Sequence, residues 1–253
     1  MNFFKRAYLY IVRKKGKTIS LFVFLLVIAT MLLTCLSIHS AVEDTTANIR
    51  KALMSSFTIN AKQLNSGLDE DTIHQILSVD GLSENYNLRS YTQASFYDTT
   101  GNAMEIKTEG ASEIPEGYEH AGKLVANKNS EKDTYFTEAG FKLVEGSHIT
   151  SSQKNAALIH EEFAKRNHLS VGDSIQLVNP IDEKLKVNVT VIGVFTNTEE
   201  QDSIGIAPSY DLYENIVFTD IASASQLIYG SSKTSCAYGD FYVNDPECLD
   251  EII

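Results

Sequence analysis

A long uncharged segment near the N-terminus constrains this chain more than any other feature. No charged side chain occurs between Lys17 and Glu43, and leucine, isoleucine, valine and phenylalanine dominate the segment. About 20 consecutive apolar residues can cross a bilayer core as a helix, because a helix satisfies its own backbone hydrogen bonds. The sequence therefore predicts a transmembrane helix over residues 18–40.

The same helix is predicted to continue beyond the membrane. Neither glycine nor proline occurs between Gly16 and Gly67, so no residue of that kind breaks the helix at the membrane surface. Residues 41–54 carry apolar side chains at helical spacing, which favours a stalk that packs lightly against a partner helix. A helix over residues 18–54 would be about 55 Å long, well beyond a bilayer core of about 30 Å.

Charge predicts the orientation of this helix. Residues 1–17 form a short, basic and amphipathic segment with six cationic residues and no acidic one. Positive charge beside a membrane helix holds that end in the cytoplasm. The chain carries −12 overall and this segment contributes +6, so residues 18–253 carry −18. The acidic bulk of the chain is therefore expected outside the cytoplasm, and its charge argues against a nucleic-acid partner.

The alternative for the first 40 residues is a cleaved signal peptide. Such a peptide has an apolar core of about 7–15 residues and a small-x-small cleavage site. The core in this chain is longer, and residues 35–41 make a poor site, so a retained anchor is preferred.

The outer part is predicted to have an α+β fold, with two strand–helix–strand halves around an insert. The first half has strands over 56–61 and 86–98 and a helix that ends by Gly81. The second half has, in chain order, a strand over 215–219, a helix that Asp220 caps and Gly230 closes, a strand over 240–244 and a helix from Pro246. The two halves, residues 55–98 and 215–253, are expected to form a split β-α-β lobe.

Residues 99–214 are predicted to be an inserted, mostly β subdomain. Their pattern indicates four short strands, at residues 104–108, 156–159, 174–178 and 186–195, and one helix at residues 161–167. The chain stops within the amphipathic pattern after Pro246, so a truncated protein is also expected.

No catalytic, cofactor-binding or metal-binding residue is predicted. The stretch from His160 begins like a zinc-protease helix, but Ala164 occupies the place of the second histidine. The histidines are scattered without metal-ligand spacing, and His160 and His168 are expected at the surface. Four strand aromatics could line a groove, although such residues are more often core: Tyr86, Tyr91, Phe96 and Tyr97. Cys236 and Cys248 could form a disulfide or remain two thiols.

Several short motifs resemble the extracytoplasmic core of MacB/FtsX-type ABC transporter permeases. They follow one another between Phe141 and Phe195, and the basic N-terminus, long first helix and stalk match as well. The matching stretches are Lys-Leu-Val-Glu-Gly-Ser-His-Ile-Thr at 142–150, Asn-Ala-Ala-Leu-Ile-His-Glu-Glu-Phe-Ala at 155–164, Val-Gly-Asp-Ser-Ile at 171–175 and Val-Thr-Val-Ile-Gly-Val-Phe at 189–195.

This resemblance implies a function and a set of partners. The chain would be a non-catalytic permease subunit that transmits motion from a separate cytoplasmic ABC ATPase through the stalk to a porter-like lobe and a sabre-like insert. Its partners would be that ATPase, membrane lipid and a second permease copy or paralogue in a dimer, and its role the export or detoxification of peptides or amphiphilic compounds. The alternative is a membrane-anchored extracellular binding or regulatory protein without an ATPase, for example one that controls a cell-wall hydrolase.

Overall fold

The computed structural model describes residues 3, 8, 15–52, 56–61, 67–198, 207–231 and 235–244. By its internal contacts the chain separates into two units, residues 1–55 and 56–253. Most of the predicted amphipathic segment 1–17, the predicted helix from Pro246 and Cys248 lie outside the described residues.

The first unit contains one long helix, α1, which runs from Lys15 to Ala52 over 38 residues. Within the described residues, the stretch Ile19–His39 is the one helix long and apolar enough to cross a membrane. Its leucine, isoleucine and phenylalanine side chains are exposed; Phe22, for example, is 65% exposed. The Thr30 and Thr34 hydroxyls donate to helix carbonyls three and four residues earlier, which satisfies them without water.

The second unit is built on eleven strands and four helices among its described residues. The strands are β1 (Ser56–Asn60), β2 (Leu68–Asp69), β3 (Leu82–Tyr97), β4 (Ala121–Asn127), β5 (Phe141–Gly146), β6 (Ala156–His160), β7 (Ser174–Val178), β8 (Lys186–Asn197), β9 (Val217–Asp220), β10 (Ser235–Cys236) and β11 (Tyr238–Val243). The α-helices are α2 (Glu70–Leu77), α3 (Thr134–Thr137), α4 (Glu161–Arg166) and α5 (Ile221–Tyr229), and three 3₁₀ turns cover Ser130–Lys132, Ser209–Asp211 and Tyr213–Asn215.

Six of these strands close into a ring. The order is β3, β4, β9, β6, β8 and β7, and β7 pairs back to β3 through Ser95–Tyr97. One apolar cluster takes side chains from all six strands, including Phe96, Leu124, Ile159 and Leu177, each fully buried. A closed ring removes exposed strand edges, and its alternating inward side chains form the core.

Strand β3 also belongs to an extension outside the ring. Its first half pairs with β11, and β11 pairs with β1, so the order there is β1, β11, β3. Helices α2 and α5 contribute Ile73, Ile221 and Ala224 to an apolar cluster with Leu88 of β3. The 16-residue length of β3 therefore lets one strand serve the ring and the extension.

Helix ends follow the predicted capping. The Asp220 carboxylate accepts from the Ser223 N–H at 3.0 Å, and Gly230 ends α5 with φ of 63°. Only glycine adopts this left-handed conformation without strain, which is why it closes the helix. The predicted order of strand, helix and strand is observed twice, as β1–α2–β3 and as β9–α5–β11, with the short strands β2 and β10 in addition.

The predicted strand over 104–108 is wrong. Met104 and Ile106 are buried, and the Met104 N–H donates to the Phe96 carbonyl of β3 at 2.9 Å, but beyond Met104 side-chain amides bind the backbone. Asn167 Oδ1 accepts from the Glu105 N–H, and Asn215 Oδ1 accepts from the Lys107 N–H, each at 2.8 Å. The chain therefore contacts β3 through the Tyr97–Ala103 bridge and Met104, and side chains hold it at Glu105 and Lys107.

The strands of the predicted lobe and of the predicted insert share one sheet. Strand β9, from the second half, lies between β4 and β6, which both belong to residues 99–214. The α+β class is confirmed, with one N-terminal apolar helix before a β-rich domain. The division of that domain into a lobe (55–98 and 215–253) and an insert (99–214) stays a prediction.

Candidate functional site

His160 begins the one stretch that resembles a zinc-protease helix, and the prediction of a surface position for it is wrong. It ends the fully buried strand β6 and is 2% exposed. Nδ1 accepts from the Glu162 N–H at 3.1 Å, so Nε2 carries the proton and donates to Asn197 Oδ1 at 2.7 Å. Burial lowers the pKa of His160, which keeps the ring neutral near pH 7. His160 thus caps α4. The apolar run that precedes it in the sequence is the feature from which its burial could have been predicted.

The other predicted histidine position is confirmed, since His168 is exposed. Among the described residues, no three His, Cys, Asp or Glu side chains are close enough to hold a metal ion. Cys236 is a buried free thiol whose pKa burial raises to about 12. The absence of catalytic, cofactor and metal residues stays a prediction.

A cleft of about 260 Å³ lies beside the first half of β3. Ile73 from α2, Tyr86 and Leu88 from β3, and Ile221 from α5 give it an apolar lining. The loop over residues 150–154 forms part of its wall, and Lys128 and Lys154 add two cations. Apolar surface with a few convergent polar groups is the usual composition of a binding site.

A second cleft of about 160 Å³ adjoins the first. The two share four lining residues, Tyr86, Lys128, Thr150 and Ser151. The second cleft is also lined by Glu84 and Asn85 of β3, by Asn129 and by Lys132. Together the two clefts form one groove along β3, which we call the β3 groove.

The lysines of the β3 groove lie close to aromatic rings. Lys128 Nζ is 3.1 Å from the centroid of the Tyr86 ring, and Lys132 Nζ is 5.1 Å from that of Tyr242. Cations at these distances are attracted to the ring face. The four strand aromatics differ: Phe96 is fully buried core, whereas Tyr86, Tyr91 and Tyr97 are half-buried, and Tyr86 lines the groove.

A buried polar network adjoins the groove, whose lining includes two of its members, Asn127 and Asn129. Asn87 Nδ2 donates to Asn127 Oδ1 at 3.3 Å, and Asn127 Nδ2 donates to Asp133 Oδ2 at 3.0 Å. Asn87 Oδ1 in turn accepts from the Asn129 N–H at 2.9 Å. Burial raises the pKa of Asp133, and the hydrogen bonds from Asn127 and the Tyr135 N–H oppose that shift. The network fixes the chain at Lys128 and Asn129, where β4 ends.

An ion pair also holds the extension together. Arg89 Nη2 donates to Asp240 Oδ1 at 2.9 Å, and Arg89 Nε lies 2.7 Å from Asp240 Oδ2. The two side chains are 14% and 15% exposed, and the Thr58 hydroxyl donates to the same carboxylate. One carboxylate therefore joins β1, β11 and β3.

Sequence comparison gives the family. Residues 21–244 match the family described as MacB-like periplasmic core domain. A relative from Bacillus subtilis (strain 168), "Uncharacterized ABC transporter permease YclI", is 26% identical over 286 aligned residues. The alignment includes all of this chain and 59% of that relative, so the chain spans little more than half of the relative's length.

Comparison of structures gives weaker similarities. The extracellular domain of the noncanonic ABC-type transporter YknZ from Gram-positive bacteria has a TM-score of 0.46 at 12% identity, over 78% of this chain and 88% of that one. The periplasmic region of MacB from Actinobacillus actinomycetemcomitans has a TM-score of 0.44 at 10% identity, over 78% and 79%. The family assignment does not depend on these values.

The match over residues 21–244 confirms the family that the sequence motifs resemble. A periplasmic core domain lies outside the cytoplasm, so the apolar stretch Ile19–His39 is the membrane anchor of an extracytoplasmic domain. The chain therefore belongs to the MacB-like periplasmic core domain family.

Proposed function

We propose that this chain is a non-catalytic subunit of an ABC transporter permease of the MacB/FtsX type. A separate cytoplasmic ATPase would hydrolyse ATP, and α1 would transmit the resulting motion to the outer domain. Export or detoxification of peptides or amphiphilic compounds is the corresponding role. The family match and the permease relative support the class of protein, and the length of α1 supports the mechanism.

The observation that carries this proposal is the unbroken length of α1. The helix has 38 residues, and the apolar stretch Ile19–His39 accounts for 21 of them. At 1.5 Å per residue, the 13 residues from Ser40 to Ala52 extend the helix by about 20 Å. A simple tether has no need of this helical extension, whereas a helix that transmits force must be stiff.

Orientation and partners complete the proposal. The six cations of residues 1–17 favour a cytoplasmic N-terminus, where an ATPase would bind. A second permease copy or a paralogue would form a dimer with this chain, and lipid would surround Ile19–His39. These partners come from the resemblance to the family.

A proline in the helical extension tests the transmission of motion. Asn48 lies within α1, nine residues beyond His39. Proline inside a helix removes one hydrogen bond and clashes with the preceding turn, at a cost of about 3 kcal/mol. The assay uses the complete permease with its ATPase in nanodiscs and a spin label on Glu183→Cys, an exposed residue between β7 and β8. The distance between the two labels of a dimer is measured with and without ATP.

We expect ATP to change the distance in the wild type and in Asn48→Ala, which keeps the helix, and not in Asn48→Pro. ATP hydrolysis and the amount of protein in the membrane should be equal in all three. If Asn48→Pro responds to ATP like the wild type, α1 is a passive tether and the mechanism is wrong. If no ATPase associates with the wild type, the membrane-anchored binding or regulatory protein is the better account.

A further inference from the structure

We propose that the β3 groove binds an extended acidic peptide, which adds as a strand to the free edge of β3. The proposal concerns a ligand of the outer domain and does not depend on coupling to an ATPase. Three separate observations meet at this place: an unpaired strand edge, lysines without ion-pair partners among the described residues, and an apolar lining.

Among the described residues, the first part of β3 has no neighbouring strand on the side where β4 pairs. Strand β4 pairs with β3 from Arg89 to Ser95, but β3 begins seven residues earlier at Leu82. Among the strands that the structure describes, only β11 pairs with that earlier part, on the opposite side, and the register of this pairing shifts between Tyr86 and Leu82. The Lys128 N–H donates to the Leu88 carbonyl at 3.0 Å, so the Leu88 backbone faces the β4 side and its carbonyl is already bonded there. Backbone groups of alternate residues face the same way, which turns those of Tyr86 to the groove.

A free strand edge offers hydrogen bonds to a peptide backbone. Natural proteins shorten or cover such edges, and peptide-binding domains use them to add a strand. Here Glu84, Asn85 and Tyr86 of the free edge line the smaller cleft, so the space beside the edge is open. The polar network at Asn87 and Asn127 fixes the point where β4 leaves β3.

Charge selects the kind of peptide. In the described part of residues 56–244, four cations form ion pairs: Arg89, Lys107, Lys123 and Lys165. No ion pair to a described residue is formed by Lys128, Lys132 or Lys154, which all line the β3 groove. The whole groove lining also contains three carboxylates, Glu70, Glu84 and Asp220. Among the described residues, however, the smaller cleft beside the free edge has two lysines, Lys128 and Lys132, and Glu84 as its one carboxylate, which points to an acidic ligand there.

The carboxylates near the groove do not cancel this charge. Asp220 lines the larger cleft and not the smaller one beside the free edge, and its oxygens accept from the Ala156 N–H, the Ser223 N–H and the Ser223 hydroxyl. Glu70 and Glu84 are exposed, so water and salt screen them. The lysines in contact with the Tyr86 and Tyr242 rings are half-buried and less screened.

The residues that line the groove determine which side chains a bound peptide can carry. Side chains of a bound strand alternate between the two faces of the sheet. On the face of Tyr86 and Leu88 they would meet Ile73, Ile221 and Lys128. On the other face they would meet Lys132, beside Tyr242. The groove therefore fits a short extended segment with both acidic and apolar side chains.

The test uses the full chain in non-ionic detergent and a fluorescein-labelled hexapeptide of alternating glutamate and valine, acetylated and amidated at its ends. Fluorescence anisotropy measures its Kd. Two matched peptides accompany it: one with lysine in place of glutamate, and one with alternate backbone amides N-methylated. We expect each to bind at least about tenfold more weakly, since one loses the ion pairs and the other the strand hydrogen bonds.

Variants locate the site. The double variant Lys128→Gln, Lys132→Gln removes one cation on each face, so its effect does not depend on the register of the peptide. We expect binding to weaken by about tenfold, from two ion pairs at partly exposed positions. The control Lys142→Gln, Lys186→Gln changes two exposed lysines on β5 and β8 and should bind like the wild type.

Hydrogen exchange provides a readout that does not depend on any variant. Saturating peptide should slow amide exchange over residues 82–88 in the wild type. If the peptide binds without slowing amide exchange at residues 82–88, or if the N-methylated peptide binds as tightly as the unmodified one, the groove binds anions without adding a strand. Either result would overturn the proposal. Unchanged binding in the lysine double variant, or no binding of the acidic peptide to the wild type, would overturn it as well.

Discussion

The side-chain amide of Asn215 binds the backbone at Lys107, where the sequence predicted a strand. Its removal should lower the stability of the outer domain. Its Oδ1 accepts from the Lys107 N–H at 2.8 Å, and its Nδ2 donates to the Lys107 and Ser209 carbonyls at 2.7 and 2.6 Å. Asn215 is 1% exposed, so water cannot replace these bonds. The variant Asn215→Ala would leave one partly buried N–H and two carbonyls with a bond fewer.

The magnitude follows from these three bonds. A hydrogen bond within a protein contributes about 1 kcal/mol net, so the loss of three should lower the free energy of unfolding by about 3 kcal/mol. In a domain of about 200 residues, 1 kcal/mol shifts Tm by about 2–4 °C, which gives a decrease of about 6–12 °C. Asn167 provides the matched control. It also makes three bonds, to Glu105 N, Glu105 O and Phe163 O, but is half-exposed, so Asn167→Ala should cost about 1 kcal/mol.

Thermal unfolding followed by tyrosine near-UV circular dichroism measures both variants, since the chain has 12 tyrosines and no tryptophan. The full chain in detergent is the sample, and the transition of interest is the loss of the tyrosine signal. If Asn215→Ala unfolds within about 2 °C of the wild type, or if Asn167→Ala is the more damaging change, the anchoring role assigned to Asn215 is refuted.

The remaining predictions concern topology and pH. In a Cys248→Ser background on intact cells, a membrane-impermeant maleimide should label Glu183→Cys and not Asn2→Cys; the opposite pattern would invert the orientation of α1. Because burial lowers the folded-state pKa of His160, its contribution to stability is present above its unfolded pKa of about 6.5 and is lost as pH falls through the folded value. Tm should therefore fall between about pH 7 and pH 5 by more in the wild type than in His160→Gln, which cannot be protonated; equal slopes would contradict this.

The sequence predicted the elements with clear boundary signals. Helix α5 has an aspartate cap at Asp220 and a closing glycine at Gly230, and both act as expected. Strand β8 alternates buried and exposed residues from Lys186 to Ile192, which is the period of a strand with one face in the core. The prediction over 186–195 was therefore correct to within two residues.

Strand β4 was missed because its sequence lacks such signals. All but one of its seven residues are buried, so no polar alternation marks it. It also contains Gly122, a residue disfavoured in strands, whose Cβ would collide with the Asn215 carbonyl and the Phe96 ring. The need for glycine there arises from a neighbour almost 100 residues away, which no local pattern shows.

The β3 groove could not be predicted for the same reason. Ile73, Tyr86, Lys128, Lys154 and Ile221 come from five separate parts of the chain. Each alone is an ordinary residue of a helix, strand or loop. Only the pairing of β3 with β4 and the position of the loop over 150–154 bring them to one groove. The aromatic residues of β3 gave a partial signal, since Tyr86 was among those considered for a groove.

The extension also explains how displacement at residue 56 could reach the ring. In the described second unit, β1 pairs with β11, and β11 with β3. The Thr58 hydroxyl and the Arg89 guanidinium both bind the Asp240 carboxylate, and Arg89 Nη1 also donates to the Tyr91 hydroxyl at 3.0 Å. Side chains thus reinforce the backbone ladders across all three strands. Because β3 continues into the closed ring and also borders the β3 groove, a shift of β1 would act on the ring and the groove together.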